Sequence, residues 1–182
     1  MSQPDRIILV GLSGAGKSTL ARRAATRIGW SAVDVDAGIV AEAGMDVSTI
    51  FEEQGEQAFR RLERDVLLAS LKARRSIIAT GGGAMVRSDN RRDILAAGLT
   101  IYVKSSPKKC AYYLRRSYSK VRRPLLDGDG DMEILLSKQL ATRYRFYEAA
   151  HLTLDAANKD IEDLVDELEL ISHRPIQLDR KQ

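Results

Sequence analysis

Short apolar runs alternate with longer amphipathic stretches along most of the chain. Five of the runs have the length of buried strands, and they cover 6–10, 31–34, 76–80, 99–103 and 151–155. The run at 7–10 is apolar at every position, which is typical of a strand buried on both faces. Strands that alternate with helices favour right-handed crossovers and a parallel sheet. The pattern therefore predicts an α/β fold with three α/β/α layers around a central five-stranded parallel sheet.

The stretches between those strands have apolar residues at helical spacing. They predict helices up to about residues 28 and 44 after the first two strands, and further helices over 46–53, 55–73, 91–97, 107–116, 132–150 and 158–172. Gly29 is expected to end the first helix, and Gly55 to interrupt the third. Ser106 before Pro107 marks a helix start, and Asn158 is expected to cap the last helix.

Two segments fit neither pattern. Residues 117–131 are polar, contain glycines and lack periodicity. Long loops in compact domains are often functional, so this segment is predicted to be a mobile lid. The tail over 173–182 is expected to be flexible. No internal repeat or linker divides the chain, and its 182 residues suit a single domain over 1–182.

Composition narrows the possible partners and the compartment. The 29 basic and 25 acidic residues are spread along the chain and give a net charge of only +4. Nucleic-acid binding requires basic residues clustered on one face, so no nucleic-acid partner is expected. The single cysteine, Cys110, cannot form an internal disulfide. The first residues lack the apolar core of a signal peptide, and no stretch suits a bilayer span. A cytoplasmic protein without a membrane partner is predicted.

The most informative motif is Gly-Leu-Ser-Gly-Ala-Gly-Lys-Ser-Thr at 11–19, between the first strand and the first helix. Its glycines let the backbone curl so that N–H groups point at an anion, and the helix adds the positive end of its dipole. Lys17 can reach the β- and γ-phosphates of a nucleotide, and the Ser18 hydroxyl can ligate Mg²⁺. The motif predicts a P-loop NTPase fold. Its expected nucleotide-binding residues are Gly14, Ala15, Gly16, Lys17, Ser18 and Thr19.

Acids and glycines follow two further predicted strands. Asp34 and Asp36 close the second strand, and Gly81–Gly83 follow the third. Ligands in open α/β sheets lie at the carboxyl ends of the strands, so these residues should share a crevice with the P-loop. Side chains two apart on a strand face the same side. Both aspartates are therefore predicted to reach the crevice, one orienting metal-bound water and one contacting the acceptor hydroxyl. The alternative is that they cap the next helix.

Three weaker signals accompany these motifs. Arg60 and Glu63 lie three apart on a predicted helix, so they can pair and hold the guanidinium ready for a bidentate carboxylate contact. The alternative is a solvated ion pair. The glycine run permits close backbone approach to a ligand or forms a plain turn. The Asp-Gly-Asp-Gly-Asp run at 127–131 does not suit calcium, because Met132 and Lys138 stand where an EF-hand needs glycine and glutamate.

These motifs, taken in order, resemble the shikimate kinase family of P-loop kinases, small relatives of the nucleoside monophosphate kinases. The likeness covers about residues 6–155. The P-loop alone is shared with many NTPases, and other segments are more specific. They are Asp34-Val35-Asp36, Ile50-Phe51, Gly55-Glu56, Phe59-Arg60, Glu63, Thr80-Gly81-Gly82-Gly83, Arg122-Arg123-Pro124-Leu125-Leu126, and Arg143 with Tyr147.

The resemblance implies transfer of the γ-phosphate of ATP to the 3-hydroxyl of shikimate, with Mg²⁺, on the way to chorismate and the aromatic amino acids. Asp36 would hydrogen-bond shikimate hydroxyls and accept the proton of the attacking one. Asp34 would hold the water shell of Mg²⁺ beside Ser18. Lys17, Asp36 and Arg123 are thus the expected catalytic residues, with Arg123 meeting the transferring phosphoryl group from the lid.

The resemblance also implies the remaining ligand contacts. Arg60 and Arg143 would bind the substrate carboxylate, while the backbone of Gly81, Gly82 and Gly83 contacts the ring hydroxyls. Arg116 resembles the arginine that packs against adenine. The expected partners are shikimate and ATP, and the expected oligomeric state is a monomer.

Two positions depart from the family pattern. Val40 follows Ile39 where glutamate is usual, and Arg145 stands where proline is usual. They leave open a related acceptor in place of shikimate itself. Two alternative functions are a P-loop kinase of another small hydroxylated acid such as gluconate, and a non-catalytic ATP-binding regulator. The retention of Lys17, Asp36 and Arg123 argues against the regulator.

Overall fold

The structure is a computed structural model that describes residues 3–117 and 131–175. Its strands are β1 (Arg6–Val10), β2 (Ser31–Asp34), β3 (Ser76–Ala79), β4 (Leu99–Lys104) and β5 (Leu152–Asp155). Its helices are α1 (Lys17–Ile28), α2 (Val35–Ala43), α3 (Val47–Ser70), α4 (Ser88–Ala97), α5 (Pro107–Ser117), α6 (Met132–Tyr147) and α7 (Ile161–Ser172). The order of strands and helices is the one that the hydrophobic pattern predicts.

The strands of the described residues form one parallel sheet in the order β2-β3-β1-β4-β5. β1 lies at the centre, with Ile8 paired to Ile78 of β3 on one side and to Thr100 of β4 on the other. Every pairing is parallel, so each connection crosses over through helical segments. The predicted five-stranded parallel sheet is confirmed.

The core lies around the three central strands. All residues of β3, and all but one residue each of β1 and β4, are buried. Strands buried along their length need cover on both faces, which the helices supply. The predicted α/β/α layering is thereby confirmed. In a parallel sheet the carboxyl ends of all strands meet at one edge, so the loops after β1, β2, β3 and β5 gather there.

The sequence predicts a helix on each side of Gly55, and the structure confirms this within the segment α3, which is broken at that glycine. α3 runs from Val47 to Ser70, and Gly55 inside it has φ 77° and ψ 170°. That positive φ is available to glycine at little cost. The rings of Phe51 and Phe59 pack across the kink with their centroids 4.7 Å apart. Gly55 therefore separates two helical stretches, as predicted, and the kink sets the direction of the second stretch.

Several predicted helix ends are displaced. The last helix is capped by Asp160, not by Asn158: the Asp160 carboxylate accepts from the N–H groups of Glu162 and Asp163, and Asp163 accepts from Asp160 in return. This reciprocal capping box satisfies three backbone donors at once and outcompetes a single asparagine. α4 begins three residues before the predicted 91, and α6 ends three residues before the predicted 150. Apolar spacing marks helix interiors better than helix ends.

Parts of two predicted segments lie outside the described residues. Of the predicted lid over 117–131, the structure describes only the first and last residues. Ser117 ends α5, and Asp131 caps α6. The predicted tail over 173–182 is described only to residue 175. Among the helices of residues 3–117 and 131–175, none combines the length and apolar character needed to cross a bilayer.

Candidate active site

The P-loop connects β1 to α1 and packs against α5. Gly14 has φ 81°, and a Cβ built on it would come 2.5 Å from the carbonyl oxygen of Cys110 and 2.8 Å from a side-chain carbon of Leu114. A larger residue would clash with backbone there. Glycine is thus required at Gly14 both by its φ and by the close packing of α5. The curled loop that the motif predicts is present, and α5 fixes it in place.

Lys17 lies at the start of α1 with its side chain folded over the loop. Its Nζ donates to the carbonyl oxygens of Gly11 at 2.8 Å and of Leu12 at 2.7 Å. The residue is only 6% exposed. A buried ammonium group is costly unless it is hydrogen-bonded, and the loop carbonyls meet that need. The positive charge is therefore held at the phosphate-binding loop.

Gly81–Gly83 leave β3 and touch three different parts of the site. A Cβ built on Gly81 would lie 2.8 Å from Asp36 Oδ1, and one on Gly82 would lie 2.7 Å from Ser13 Oγ. The nearest atom to a Cβ on Gly83 would be Arg60 Nη1, at 3.8 Å. The run therefore brings an acidic side chain, the P-loop and an arginine around one stretch of bare backbone. This is more specific than the plain turn that the sequence also allowed.

The two aspartates after β2 have different positions, contrary to the strand-alternation argument. The chain turns into α2 at Val35, so Asp36 lies in the first helical turn and not on the strand. Asp34 is the N-cap, and its Oδ1 accepts from the N–H of Ala37 at 3.1 Å. The capping alternative is therefore correct for Asp34. Asp36 lines the central cavity, as expected, but through helix geometry.

Arg60 is held in a fork of acidic side chains on α3. Its Nη1 donates to Glu63 Oε2 at 2.9 Å, and its Nη2 donates to Glu56 Oε1 at 3.2 Å. Burial lowers the pKa of the Arg60 guanidinium, but hydrogen bonds and charges from Glu63 and Glu56 raise it more, so the pKa is raised overall. Glu63 is only 5% exposed. The predicted pair is confirmed, and it is half-buried, not a solvated surface pair.

Two side chains of α6 reach the same glycine run from the other side. The Tyr147 hydroxyl donates to the carbonyl oxygen of Gly82 at 2.5 Å, and Arg143 Nη1 lies 3.4 Å from that oxygen. Tyr147 is buried and stacks on Tyr102 with ring centroids 5.2 Å apart. Burial raises the pKa of the Tyr147 phenol, so the hydroxyl keeps the proton that it donates. α6 is thereby anchored to the Gly82 backbone, with Arg143 beside it.

A cavity of about 540 Å³ lies beside the P-loop and reaches Asp36 and Gly82, whereas Arg60, Glu63, Arg143 and Tyr147 do not line it. At one end it is lined by the P-loop, Asp36, Thr80 and Gly82. The other end is lined by side chains of α5, the loop after β5 and the start of α7, and these are Lys109, Tyr113, Leu114, Ala156, Lys159, Asp160, Ile161 and Leu164. The P-loop residues Gly14 to Thr19 all line it, as predicted. The lining therefore combines the P-loop with side chains of α5 and of the segment after β5.

Sequence reasoning missed the whole second end of the cavity. Lys109 sits in the first turn of a predicted helix, yet it contacts residues about 50 positions further along the chain. No spacing or composition signal connects those segments. Arg116, expected at the adenine, is exposed on α5 and donates to the Tyr112 hydroxyl at 3.2 Å, while Tyr113 and Leu114 of the same helix line the cavity.

The remaining sequence positions fall away from the cavity or outside the described residues. Val40 is 36% exposed on α2. The Arg145 guanidinium packs over the ring of Phe146, 4.7 Å from its centroid, so neither departure from the family pattern lines the cavity. Arg122 and Arg123 belong to the part of the predicted lid that lies outside the described residues.

Comparisons with known proteins identify the family that this chain resembles. A sequence profile for the shikimate kinase family matches residues 13–171. The shikimate kinase of Symbiobacterium thermophilum is 36% identical over 162 residues, which covers 89% of this chain and 92% of that protein. The solved structure of the Acinetobacter baumannii shikimate kinase in complex with shikimate superposes with a TM-score of 0.84 at 34% identity, and 93% of each chain is covered.

A gluconokinase from Sinorhizobium meliloti provides a contrast. Its structure superposes with a TM-score of 0.58 at 18% identity over 94% of this chain and 93% of that chain. Identity at this level shows a shared fold and nothing more. The family profile and the curated relatives, in contrast, match sequence over most of the length. The chain belongs to the shikimate kinase family.

Proposed function

We propose that this chain transfers the γ-phosphate of ATP to the 3-hydroxyl of shikimate and releases ADP and shikimate 3-phosphate. The observation that carries the proposal is the meeting of three elements at Gly81–Gly83: the P-loop, the Asp36 carboxylate and the forked Arg60. Phosphoryl transfer needs its donor, acceptor and neutralising cations in one place, because catalysis rests on positioning and electrostatics. The identity of the acceptor, shikimate, is inferred from membership in the shikimate kinase family.

The P-loop end is proposed to hold ATP. Backbone N–H groups of the curled loop and the start of α1 suit the phosphates, and Lys17 supplies a cation already directed at the loop. The β- and γ-phosphates would compete with these two carbonyl oxygens for the Lys17 ammonium group. Because phosphate oxygens carry full charge, they bind an ammonium more strongly than amide carbonyls do. Lys17 would thus stabilise the transferring group.

The other side of Gly82 is proposed to hold shikimate. Asp36 lies against the Gly81 backbone, where it can hydrogen-bond a ring hydroxyl and accept its proton as the hydroxyl attacks. Arg60 and Arg143 flank Gly82 and Gly83, so their guanidinium groups can bind the carboxylate of the acceptor. Glu63 keeps the Arg60 fork in one orientation, which a bidentate contact requires. Backbone of the glycine run would contact the remaining hydroxyls.

Mg²⁺ is proposed to bind with the phosphates of ATP. It prefers oxygen ligands and keeps several waters, so one or two protein oxygens beside the phosphates suffice. The Ser18 hydroxyl lines the cavity and is of the right type. Within residues 3–117 and 131–175 no cluster of three His, Cys, Asp or Glu side chains forms a separate metal cage, which fits a metal that arrives with its nucleotide. Asp34, despite its capping contact, is proposed to orient the water shell. The bound ion would neutralise charge on the phosphates.

Two further roles rest on the sequence. Arg123 is proposed to meet the transferring phosphoryl group from the lid, and Arg116 to pack against adenine. No nucleic-acid partner is proposed, because the net charge is only +4. A cytoplasmic monomer without a membrane partner is also proposed. The one cysteine, Cys110, is buried, so it is not placed for a disulfide between chains.

A coupled assay of ADP release tests the proposed function. With ATP and Mg²⁺, release should depend on added shikimate and should be weak with gluconate or without acceptor. ADP release that gluconate stimulates more than shikimate would assign another acceptor. Release that no small hydroxylated acid stimulates would point to a regulator.

The carboxylate contact is tested by Arg60→Lys. The change keeps the charge but loses the planar fork, so it should raise KM for shikimate about 10- to 100-fold and leave KM for ATP nearly unchanged. Arg61→Lys, at the exposed neighbouring position on α3, is the matched control and should behave as wild type. If the two variants have the same KM for shikimate, the carboxylate is bound elsewhere.

A further inference from the structure

Lys109 makes an unusual set of contacts at the far end of the cavity. Its Nζ donates to the backbone carbonyl oxygens of Ala156 at 2.6 Å, of Lys159 at 2.8 Å and of Ala157 at 3.4 Å. An ammonium group has three donors, so all of them are directed at a single loop. Bonds from a charged donor to carbonyls are stronger than neutral ones. The side chain therefore fixes the path of the backbone over 156–159.

The loop over 156–160 also has contacts to other parts of the chain, and one of them is the ion pair of Lys159 with Glu167 of α7. At one end the N–H of Ala156 donates to the carbonyl of Lys104 on the sheet at 2.8 Å, and the N–H of Ala157 donates to Asp155 Oδ1 at 2.9 Å. At the other end Asp160 caps α7. Lys109, on α5, donates to carbonyl oxygens near both ends of this loop. Ala156, Lys159 and Asp160 all line the cavity, so the position of this loop sets the shape of that wall.

α5 links this wall to the P-loop. Lys109 follows the cap made by Ser106, whose Oγ accepts from the Lys109 N–H at 3.2 Å. The carbonyl oxygen of the next residue, Cys110, packs against Gly14. One turn later the Leu114 side chain packs against the same glycine. One rigid helix thus touches the phosphate loop through Cys110 and Leu114 and holds the opposite wall through Lys109. The distance between the two ends of the cavity is set by these contacts.

We propose that Lys109 is a positioning residue for the nucleotide: by tying the 156–159 backbone to α5, it shapes the part of the cavity that receives the nucleoside, away from the phosphates. This rests on the proposed function, in which the P-loop end takes the phosphates of ATP. The nucleoside must then lie toward α5 and the loop after β5. Lys109 acts through the loop backbone, since its three donors are directed at carbonyl oxygens.

Binding measurements on the full chain separate this role from a general structural one. Lys109→Met keeps the apolar stem and removes the three donors. It should weaken ADP binding by about tenfold, the effect of losing one charge-assisted hydrogen bond, and leave binding of inorganic tripolyphosphate within about twofold. The affinity of both ligands is measured by calorimetry with Mg²⁺ present. Lys108→Met, at the exposed preceding position, is the charge-matched control and should bind both ligands as wild type does.

The outcomes distinguish the inference from the proposed function. Selective loss of ADP affinity in Lys109→Met supports the positioning role. Unchanged ADP affinity, or equal loss of ADP and tripolyphosphate, overturns it while leaving the kinase assignment intact. A wild-type chain that binds no ADP would overturn both. Should Lys109→Met not fold, Lys109→Leu also removes all three donors, and normal ADP affinity in that variant would also overturn the role.

Discussion

Replacing Gly82 by alanine tests the packing at the centre of the site. A Cβ at this position would lie 2.7 Å from Ser13 Oγ and 2.9 Å from the Ser13 backbone nitrogen. The hydroxyl can rotate away, but the nitrogen belongs to the P-loop backbone, so one of the two loops must move. Gly82 also lies outside the positive-φ region, and the penalty therefore comes from space and not from backbone conformation.

The magnitude follows from overpacking. Forcing a methyl group into a packed site costs about 1–3 kcal/mol of unfolding free energy. For a domain of this size each kcal/mol lowers Tm by about 2–4 °C, so Gly82→Ala should lower Tm by about 2–12 °C. Displacement of Gly82 also shifts the carbonyl that Tyr147 and Arg143 approach, and the P-loop on the opposite side. KM for shikimate and KM for ATP should therefore rise together.

Gly83→Ala is the matched control for this prediction. Among the described residues, the one atom within 4 Å of a Cβ at that position is Arg60 Nη1 at 3.8 Å, an ordinary van der Waals contact. Gly83 also lacks a positive φ. Alanine there should leave stability unchanged or raise it by about 0.4–1 kcal/mol through the unfolded state. Thermal unfolding followed by circular dichroism measures both variants. Equal Tm values for the two, or a higher Tm for Gly82→Ala, would refute the packing argument.

Three further predictions concern phosphoryl transfer and acid stability. Lys17→Met should retain less than about a tenth of wild-type turnover in the ADP-release assay, because the lysine stabilises the transferring group, and a larger residual rate would refute that role. Arg123→Ala should lower kcat by about 10³–10⁵ if it meets the transferring phosphoryl group, and a normal rate there with a crippled Arg122→Ala would move the role by one residue. A hydrogen bond from Arg64 holds the pKa of Asp93 below its ordinary value, so the pair stabilises the fold above about pH 3.9 and the gain is lost as pH falls through the lowered folded-state pKa. Urea unfolding across pH 7 to 2 should therefore show a shallower acid loss in Asp93→Asn than in wild type, and identical pH profiles would contradict the pairing.

The sequence determined the features that depend on neighbouring residues. Apolar periodicity predicted the strands and their order with the helices, because each element must bury its own apolar face. The P-loop was predictable because it also consists of neighbouring residues. The turn, the cation and the helix start all lie in one continuous segment, Gly11 to Thr19. The pairing of Arg60 with Glu63 also follows from local spacing on a helix.

Only the tertiary structure decided contacts between segments that are distant in the chain. Tyr147 reaches the carbonyl of Gly82 across 65 positions, and Lys109 reaches Ala156 across 47. Residue type and spacing carry no information about such pairs, since they depend on how helices pack on the sheet. The different positions of Asp34 and Asp36 also depend on the residue at which β2 ends and α2 begins. A cap contact worth about 1 kcal/mol helps to place that boundary. The spacing of apolar residues gives no information about such a contact.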